Sequence, residues 1–153
     1  IKWTLKLKDP DILRESFLRD LHKQLLGEVW DWAGTFRQTE KNIGVDPLYI
    51  GVELRNLLED CKTWLEYKSY PPIEIAVRFH HRLVKIHPFP NGNGRHSRIM
   101  ADLLCKHKLG IDYIDWAGGQ DLQKLGERRS SYIAALRKAD GHDYSDLIAF
   151  AQG

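Results

Sequence analysis

The chain has 153 residues, a length that fits one domain, and its 42% hydrophobic and 29% charged content is typical of globular proteins. Its net charge of +2 is small, and the basic residues are spread along several segments, so we do not expect a nucleic-acid partner. No apolar run reaches about 18 residues and no signal-peptide pattern occurs, which predicts a cytoplasmic protein without a membrane span. Cys61 and Cys105 are expected to be buried thiols in a reducing compartment.

The spacing of apolar residues predicts six helices. The first begins at Asp9-Pro10, an N-cap followed by proline, and continues to Gly27. Residues 29 to 47 show no sustained period, which indicates a short β-hairpin or an irregular flap. The other helices are predicted over residues 47 to 67, 73 to 87, 94 to 108, 121 to 139 and 143 to 151. The predicted fold class is all-α, a compact bundle of about six or more helices with a short β-hairpin flap, in a single domain.

The sequence between the third and fourth helices is HPFPNGNG, residues 87 to 94. Two Asn-Gly pairs in four positions leave this backbone free to adopt positive φ. Consecutive N–H groups at the start of a helix can then form a nest for an anion, which the helix dipole reinforces. We therefore predict that a nucleotide phosphate binds at Gly92, Asn93 and Gly94.

Two arginines strengthen this prediction. Arg95 and Arg98 lie in the first turn of the fourth helix, where a cation opposes the helix dipole unless an anion is bound there. The planar guanidinium group also suits phosphate oxygens better than a lysine ammonium does. Both arginines are therefore predicted to bind phosphate.

His87 lies at the mouth of the same loop and is the candidate general base, because imidazole can take a proton from a hydroxyl near neutral pH. Asn91 is the candidate metal ligand, since its side-chain carbonyl could contribute to binding Mg²⁺. Phe89 is expected to anchor the loop in the core. His80 is expected to be a hydrogen-bonded core histidine.

Structural explanations of the same residues remain open at this point. The Asn-Gly pairs could form hairpin turns, although both flanks have a helical period. Arg98 could pair with Asp102 on the surface, and a histidine at a helix end such as His87 could serve structure alone. No histidine spacing typical of a zinc site occurs in the sequence.

The segment HPFPNGNGRHSR, residues 87 to 98, resembles the signature of the Fic family, H-x-F-x-[D/E]-G-N-G-R-x-x-R. Every fixed position but one matches. Weaker similarity extends from the Trp-Ala-Gly-x-x-Arg of residues 32 to 37 to the Arg-x-x-Tyr of residues 129 to 132. The whole chain is similar to the helical core of the family, and in particular to its mobile-element-associated branch, which is why a toxin-like role is expected.

The resemblance implies a protein adenylyltransferase that moves AMP from ATP to a tyrosine, threonine or serine hydroxyl of a target protein and releases pyrophosphate. It implies that His87 is the base, that the Gly92 to Arg95 loop stabilises the transferring phosphates and that Arg98 holds the γ-phosphate. Tyr132 and Asp140 would lie near the adenosine. The flap around Lys41 and Val45, residues 41 to 45, would hold the target protein.

Two departures from the family pattern bear on these expectations. The usual acidic metal ligand is replaced by Asn91, and because a neutral amide binds Mg²⁺ more weakly than a carboxylate does, weaker binding of the Mg²⁺ cofactor is expected. Family members are often silenced by a glutamate in the pattern [S/T]-x-x-x-E-[G/N], which does not occur in these residues. An inhibitory helix upstream of Ile1, a separate inhibitory partner and constitutive activity all remain open.

Rival functions use the same site. A phosphotransferase, or a transferase that uses another nucleotide, would keep the fold and alter the chemistry. A non-catalytic nucleotide-binding regulatory module would have no need of His87.

Overall fold

The computed structural model describes residues 7, 8, 10–40, 43–116 and 126–153. Over these residues the chain forms six α-helices, joined by turns and two short helical segments. They are α1 (Glu15–Leu26), α2 (Ile50–Tyr67), α3 (Pro72–Ile86), α4 (Asn93–Leu104), α5 (Gly126–Asp140) and α6 (Ser145–Gln152). A 3₁₀ turn, Pro47–Tyr49, precedes α2, and a π-helical turn, Cys105–Leu109, follows α4. No helix in the described part of the chain is long and apolar enough to cross a membrane.

The central helix is α3, which packs against α2, α4 and α6. One hydrophobic core lies on the α1, α2 and α4 side and contains the fully buried Leu54, Phe79 and Met100. A second core lies between α3, α5 and α6 and contains Trp116 and Tyr132. Both sides of α3 are therefore anchored, and this fixes the position of its C-terminal end, where the HPFPNGNG loop of residues 87 to 94 begins.

The all-helical prediction is confirmed, and most helix positions agree with it to within a few residues. The predicted start of the first helix was wrong. Helix α1 begins at Glu15, and Arg14 before it has an extended backbone. Ile12 and Leu13 instead enter the core side by side, and this burial overrides the helix-start signal at Pro10. Asp9, the predicted N-cap, lies outside the described residues.

The short β-hairpin predicted within residues 29 to 47 is not seen among the described residues 29–40 and 43–47. Residues 30 to 35 form consecutive turns, in which Ala33 N–H donates to Trp30 O and Thr35 N–H donates to Trp32 O. The irregular flap, the other sequence interpretation, describes this segment correctly.

Cys61 and Cys105 are both buried and unpaired, as expected. Burial raises the pKa of each thiol to about 12, so neither carries a thiolate at neutral pH. They belong to the packing of the two cores.

Candidate active site

His87 ends α3 in a left-handed conformation, with φ 53° and ψ 62°. This conformation costs a non-glycine residue on the order of 1 to 2 kcal/mol, so surrounding contacts must stabilise it. His87 N–H donates to Leu83 O at 3.2 Å, and His87 O accepts from Arg37 Nε at 2.6 Å. The third helix, predicted to reach His87, therefore ends one residue earlier at Ile86, and His87 has a left-handed backbone.

Arg37 joins the flap to the C-terminal end of α3. The residue is 2% exposed, and within the described part of the chain its guanidinium group donates to four backbone carbonyls, those of His87, Thr39 at 3.0 Å, Ile86 at 3.3 Å and Val45. Its own N–H donates to Pro88 O at 2.9 Å. A cation here is also favoured by the negative end of the helix dipole. Arg37 thus links both arms of the flap to His87, in place of the strand pairing of a hairpin.

Gly44 brings the flap backbone against the histidine. Its φ is +91°, and a Cβ added there would lie 2.7 Å from His87 Cβ and 2.7 Å from Arg37 Nη2. Any side chain at this position would therefore displace one of the two groups. The close approach explains why glycine follows Ile43 in the flap.

A buried asparagine holds the loop after His87 in shape. Asn93 Oδ1 accepts from Phe89 N–H at 2.9 Å, and Asn93 Nδ2 donates to Phe89 O at 2.7 Å. Phe89 itself is fully buried, which confirms its predicted role as the loop's core anchor. The Asn93 side chain thus binds the loop from inside, and its backbone N–H is the group that remains for a phosphate.

Gly92 is the N-cap of α4 and has a φ of 76°. A Cβ at this position would also lie 2.4 Å from Leu26 Cδ1, so the site favours glycine for both conformation and space. Glycine has no side chain to cap the first N–H groups of α4, and these groups lack acceptors within the helix. A left-handed Gly92 followed by helical residues is a backbone arrangement that suits an anion nest, and phosphate binding there stays a prediction. Gly94 is helical and contributes its N–H without positive φ.

His22 of α1 supports the loop from below. Its Nδ1 accepts from Gly34 N–H at 2.9 Å, so the proton is on Nε2, which donates to Asn91 O at 2.9 Å. The imidazole stacks on Phe89 with a ring separation of 3.8 Å. Burial lowers the pKa of His22, which keeps the ring neutral for this pair of hydrogen bonds. The shape of the loop therefore depends on α1 as well as on the motif itself.

The two arginines differ in their surroundings. Arg95 is exposed, whereas Arg98 is half-buried and its guanidinium carbon lies 5.9 Å from the centre of the Tyr132 ring. A Cβ added at Gly94 would lie 3.1 Å from Arg98 Nη1, which places this guanidinium beside the first turn of α4. Asp102 Oδ1 accepts from Ile114 N–H and Trp116 Nε1, each at 3.1 Å. The structure thus places Arg98 next to the predicted anion nest.

Tyr132 lies in the second core and is 5% exposed. Its hydroxyl is 2.6 Å from His80 Nε2, which confirms His80 as a hydrogen-bonded core histidine. Burial lowers the pKa of His80 to about 3, so the pair is neutral at neutral pH. Tyr132 supports Arg98 through its ring, and its contact with adenosine stays a prediction.

A cavity of about 260 Å³ opens beside His87, between the flap, α3 and α5. Four apolar residues contribute to its wall, namely Ile43, Val84, Ile133 and Leu136. Its polar residues include His81 and Asp140, whose Nε2 and Oδ1 atoms lie 2.8 Å apart. The cavity thus combines an apolar wall with polar groups at its edges, as sites for organic ligands commonly do.

The described residues provide few ligands for a metal ion. They contain no group of three or more histidine, cysteine or acidic side chains that could hold one. Asn91 is exposed at the loop, and its backbone carbonyl is already bonded to His22, so the neutral side-chain amide is what it can offer. Mg²⁺ binds well with few protein ligands when phosphate oxygens supply the others. Asn91 therefore fits as one weak ligand to a nucleotide-bound ion.

Sequence reasoning did not assign functions to His22, Arg37 or His81. Arg37 ends the Trp-Ala-Gly-x-x-Arg segment, and its place in that segment was a usable signal. His22 falls on the apolar stripe of α1 beside Leu18 and Leu21. This position indicated that His22 is buried but did not indicate which groups it hydrogen-bonds. The bond between His81 and Asp140 spans 59 residues of sequence and left no local signal.

The sequence profile described as the Fic/DOC family matches residues 12–105, more than half of the chain. The chain belongs to the Fic/DOC family. It is 31% identical to protein adenylyltransferase fic-1 of Caenorhabditis elegans over 96% of this chain and 28% of that protein. It is 32% identical to protein adenylyltransferase Fic of Aedes aegypti, over 98% of this chain and 29% of that protein.

Solved structures give the same assignment. Fic-1 residues 134 to 508 of C. elegans superpose with a TM-score of 0.72 at 27% identity, over 90% of this chain and 39% of that chain. A Fic domain-containing signalling protein from Bacteroides thetaiotaomicron has a TM-score of 0.71 at 21% identity, over 91% of this chain and 56% of that chain, and shows the shared fold. The chain spans less than a third of the curated relatives named above. These relatives do not test the resemblance to the mobile-element branch, which stays an expectation.

Proposed function

We propose that residues 1 to 153 form one catalytic domain that transfers AMP from ATP to a tyrosine, threonine or serine hydroxyl of a target protein. The observation that carries this proposal is the position of His87, which lines a ligand-sized cavity and begins the loop that ends in the Gly92 nest. The proposed proton acceptor and the proposed phosphate site are thus separated by four residues of a single loop. The adenylyltransferase names of the relatives support the same activity.

The phosphates would bind where the loop meets α4. The N–H groups of Asn93 and Gly94 and the positive end of α4 attract the negative charge. Arg98, held against Tyr132, would bind the terminal phosphates, and the exposed Arg95 would close over them. These groups stabilise the charge that builds on the phosphates as pyrophosphate leaves.

His87 would take the proton of the target hydroxyl as its oxygen attacks the α-phosphorus. The bond between the α-phosphorus and the oxygen bridging to the β-phosphate then breaks, and pyrophosphate is released. Arg37 and Leu83 bind the His87 backbone on either side, so the backbone that carries the ring is held in a fixed position. Such positioning reduces the entropy that the reaction must overcome.

The nucleoside would lie in the cavity beside His87. The apolar residues Ile43, Val84, Ile133 and Leu136 form a wall suited to a flat base. The cavity is continuous with His87, so a base lying there places its α-phosphate close to the general base. Asp140, which lines the cavity, would then lie on the nucleoside side of the site, whereas Tyr132 would support Arg98 on the phosphate side.

The target protein would bind along the flap around Lys41 and Val45, of which Lys41 lies outside the described residues. Ile43 is 63% exposed although it is apolar, and a Cβ added at Gly44 would lie 2.7 Å from His87 Cβ. A target segment lying on this exposed flap would therefore present its hydroxyl next to the histidine. We also propose that an inhibitory partner, or a segment upstream of Ile1, controls the domain.

We propose Mg²⁺ as the cofactor, with the Asn91 amide as a weak protein ligand and the phosphates of ATP as the main ones. When bound, the ion would neutralise phosphate charge.

The test is transfer of label from ATP carrying the label at either the α- or the γ-phosphate, with a cell lysate as the source of targets. The proposal requires protein labelling from α-labelled ATP alone, lost in His87→Ala and kept in His142→Asn, a change at an exposed histidine. Circular dichroism of both variants establishes that they fold.

Labelling from γ-labelled ATP alone would assign phosphotransfer to this site instead. The lysates should contain targets of related enzymes. If the domain binds ATP but labels no protein in them, the result would favour the non-catalytic regulatory module.

A further inference from the structure

The cavity beside His87 has a second polar feature, formed by His81 and Asp140. His81 is 4% exposed, and its Nε2–H donates to Asp140 Oδ1 at 2.8 Å. The imidazole also meets the ring of Tyr144 edge-on, with a ring separation of 5.7 Å and an angle of 87°. Burial lowers the pKa of His81, so a neutral ring with a fixed Nε2–H faces the carboxylate. The Asp140 side chain keeps 56% of its surface exposed, which leaves Oδ2 for a ligand.

His81 and Asp140 line the cavity together with His87, whereas Gly92, Asn93 and Gly94 of the phosphate loop are not part of its lining. His81 and His87 are both on or next to α3 and are six residues apart, which corresponds to about 9 Å along a helix. The phosphate loop continues away from His87 toward Gly92, beyond the C-terminal end of α3. A nucleotide with its α-phosphate at His87 therefore directs its base toward Asp140.

A carboxylate at this end accepts hydrogen bonds and cannot donate one. The edge of guanine that pairs with cytosine presents two neighbouring donors, N1–H and the 2-amino group, and both can bind one carboxylate. The corresponding edge of adenine presents one donor, the 6-amino group, beside the acceptor N1, which a carboxylate repels. An asparagine has one donor and one acceptor and therefore suits adenine.

We propose that Asp140, oriented by His81, selects the base and that the domain uses GTP as a second nucleotide beside ATP. This inference rests on the proposed nucleotidyl transfer. The target hydroxyl oxygen bonds to the α-phosphorus of GTP, the bond to the bridging oxygen breaks and pyrophosphate leaves, while His87 takes the proton. The product is a protein that carries GMP on the hydroxyl. His81 is a positioning residue, because it holds the carboxylate and does not touch the base.

The experiment measures binding and transfer separately. Calorimetry gives the affinities of the α,β-methylene analogues of ATP and GTP, which bind without releasing pyrophosphate. It is carried out on the wild-type chain, on Asp140→Asn and on Asp112→Asn, a matched change at an exposed aspartate outside the cavity. Transfer of label from α-labelled ATP and GTP is measured on the same three proteins, and His81→Asn is added to test the orienting role.

The expected result is that wild type binds the guanine analogue at least as tightly as the adenine analogue. Asp140→Asn should shift the ratio of the two affinities toward adenine by roughly tenfold or more, which one bidentate contact provides. His81→Asn should shift the ratio in the same direction by less, and Asp112→Asn should leave it unchanged. Proteins labelled from GTP in wild type should lose that label preferentially in Asp140→Asn.

An equal ratio in wild type and Asp140→Asn would overturn the inference while the proposed function stands. The same holds if wild type binds the adenine analogue alone. Failure to bind either analogue would overturn the proposed function itself, and the inference with it. A merely structural role for His81 would lower both affinities together and leave their ratio unchanged, which would refute its orienting role.

Discussion

Acid should destabilise this fold at a pH where most globular proteins are still stable, because two histidines are buried in the neutral form. His80 and His96 are fully buried, and burial lowers the pKa of each to about 3. His80 lies against Tyr132, and His96 Nε2 donates to Leu18 O at 2.8 Å. In the unfolded chain both return to a pKa near 6.5. Their contribution to stability is therefore present above pH 6.5 and is lost as the pH falls from 6.5 toward 3.

The magnitude follows from these pKa values. Between pH 7 and pH 5 each histidine should remove about 2 kcal/mol from the free energy of unfolding, so the two remove about 4 kcal/mol. Asp102 acts in the opposite direction, because burial raises its pKa to about 6, and it returns about 1 kcal/mol over the same range. The net loss of about 3 kcal/mol is a large part of a typical stability of about 5 to 15 kcal/mol.

Urea unfolding followed by tryptophan fluorescence at pH 7, 6 and 5 measures this loss. His96→Gln should be less stable at pH 7 but should lose about 2 kcal/mol less than wild type on going to pH 5. His142→Asn, at an exposed position with positive φ that asparagine tolerates, should keep the pH dependence of wild type. A change below about 1 kcal/mol in wild type between pH 7 and 5 would refute the reasoning.

Three further changes test the loop and its supports. Gly92→Ala should lower the free energy of unfolding in urea by about 1 to 3 kcal/mol, because it strains a left-handed backbone, and it should weaken ATP binding in calorimetry. Gly51→Ala, in the open first turn of α2, should leave the stability unchanged or raise it. Arg37→Lys should lower AMP transfer at least tenfold, since an ammonium cannot reach all the carbonyls of the flap and α3, while the exposed Arg55→Lys should keep wild-type activity. Asn91→Asp should lower the Mg²⁺ concentration needed for half-maximal transfer, and an unchanged Mg²⁺ dependence would contradict its role as a ligand.

The positions of the helices could be predicted because they depend on local periodicity. The apolar stripe of α2, from Leu54 to Cys61, is regular over two turns, and the prolines before α3 mark its start clearly. The start of α1 was wrong because the burial of Ile12 and Leu13 depends on distant helices. The hairpin prediction was wrong because the Arg37 side chain joins the two arms of the flap, where pairing between backbones was expected.

The chemical groups of the candidate site could also be predicted, because they are concentrated in twelve consecutive residues. The glycine content of the loop and the physics of helix ends indicated a phosphate nest at Gly92, and the resemblance to the Fic family supported the role of His87 as the base. Of the two Asn-Gly pairs, which were both expected to allow positive φ, one adopts it, at Gly92. Asn93 instead turns its side chain back to Phe89, which allows α4 to begin at once.

The supports of the site could not be predicted, because they come from far along the chain. Arg37 Nε and His87 O are 50 residues apart in sequence, and His22 Nε2 and Asn91 O are 69 residues apart. Each support binds a backbone carbonyl, so the side chain at the supported position leaves no trace of the contact in the sequence. Under the proposed function, the motif would therefore specify which groups meet the nucleotide, while α1 and the flap determine where those groups are held. A chain with an intact HPFPNGNGRHSR segment but without His22 and Arg37 should consequently fold and lose activity, because His87 would relax from its left-handed conformation and Asn91 would lose the bond that positions the loop.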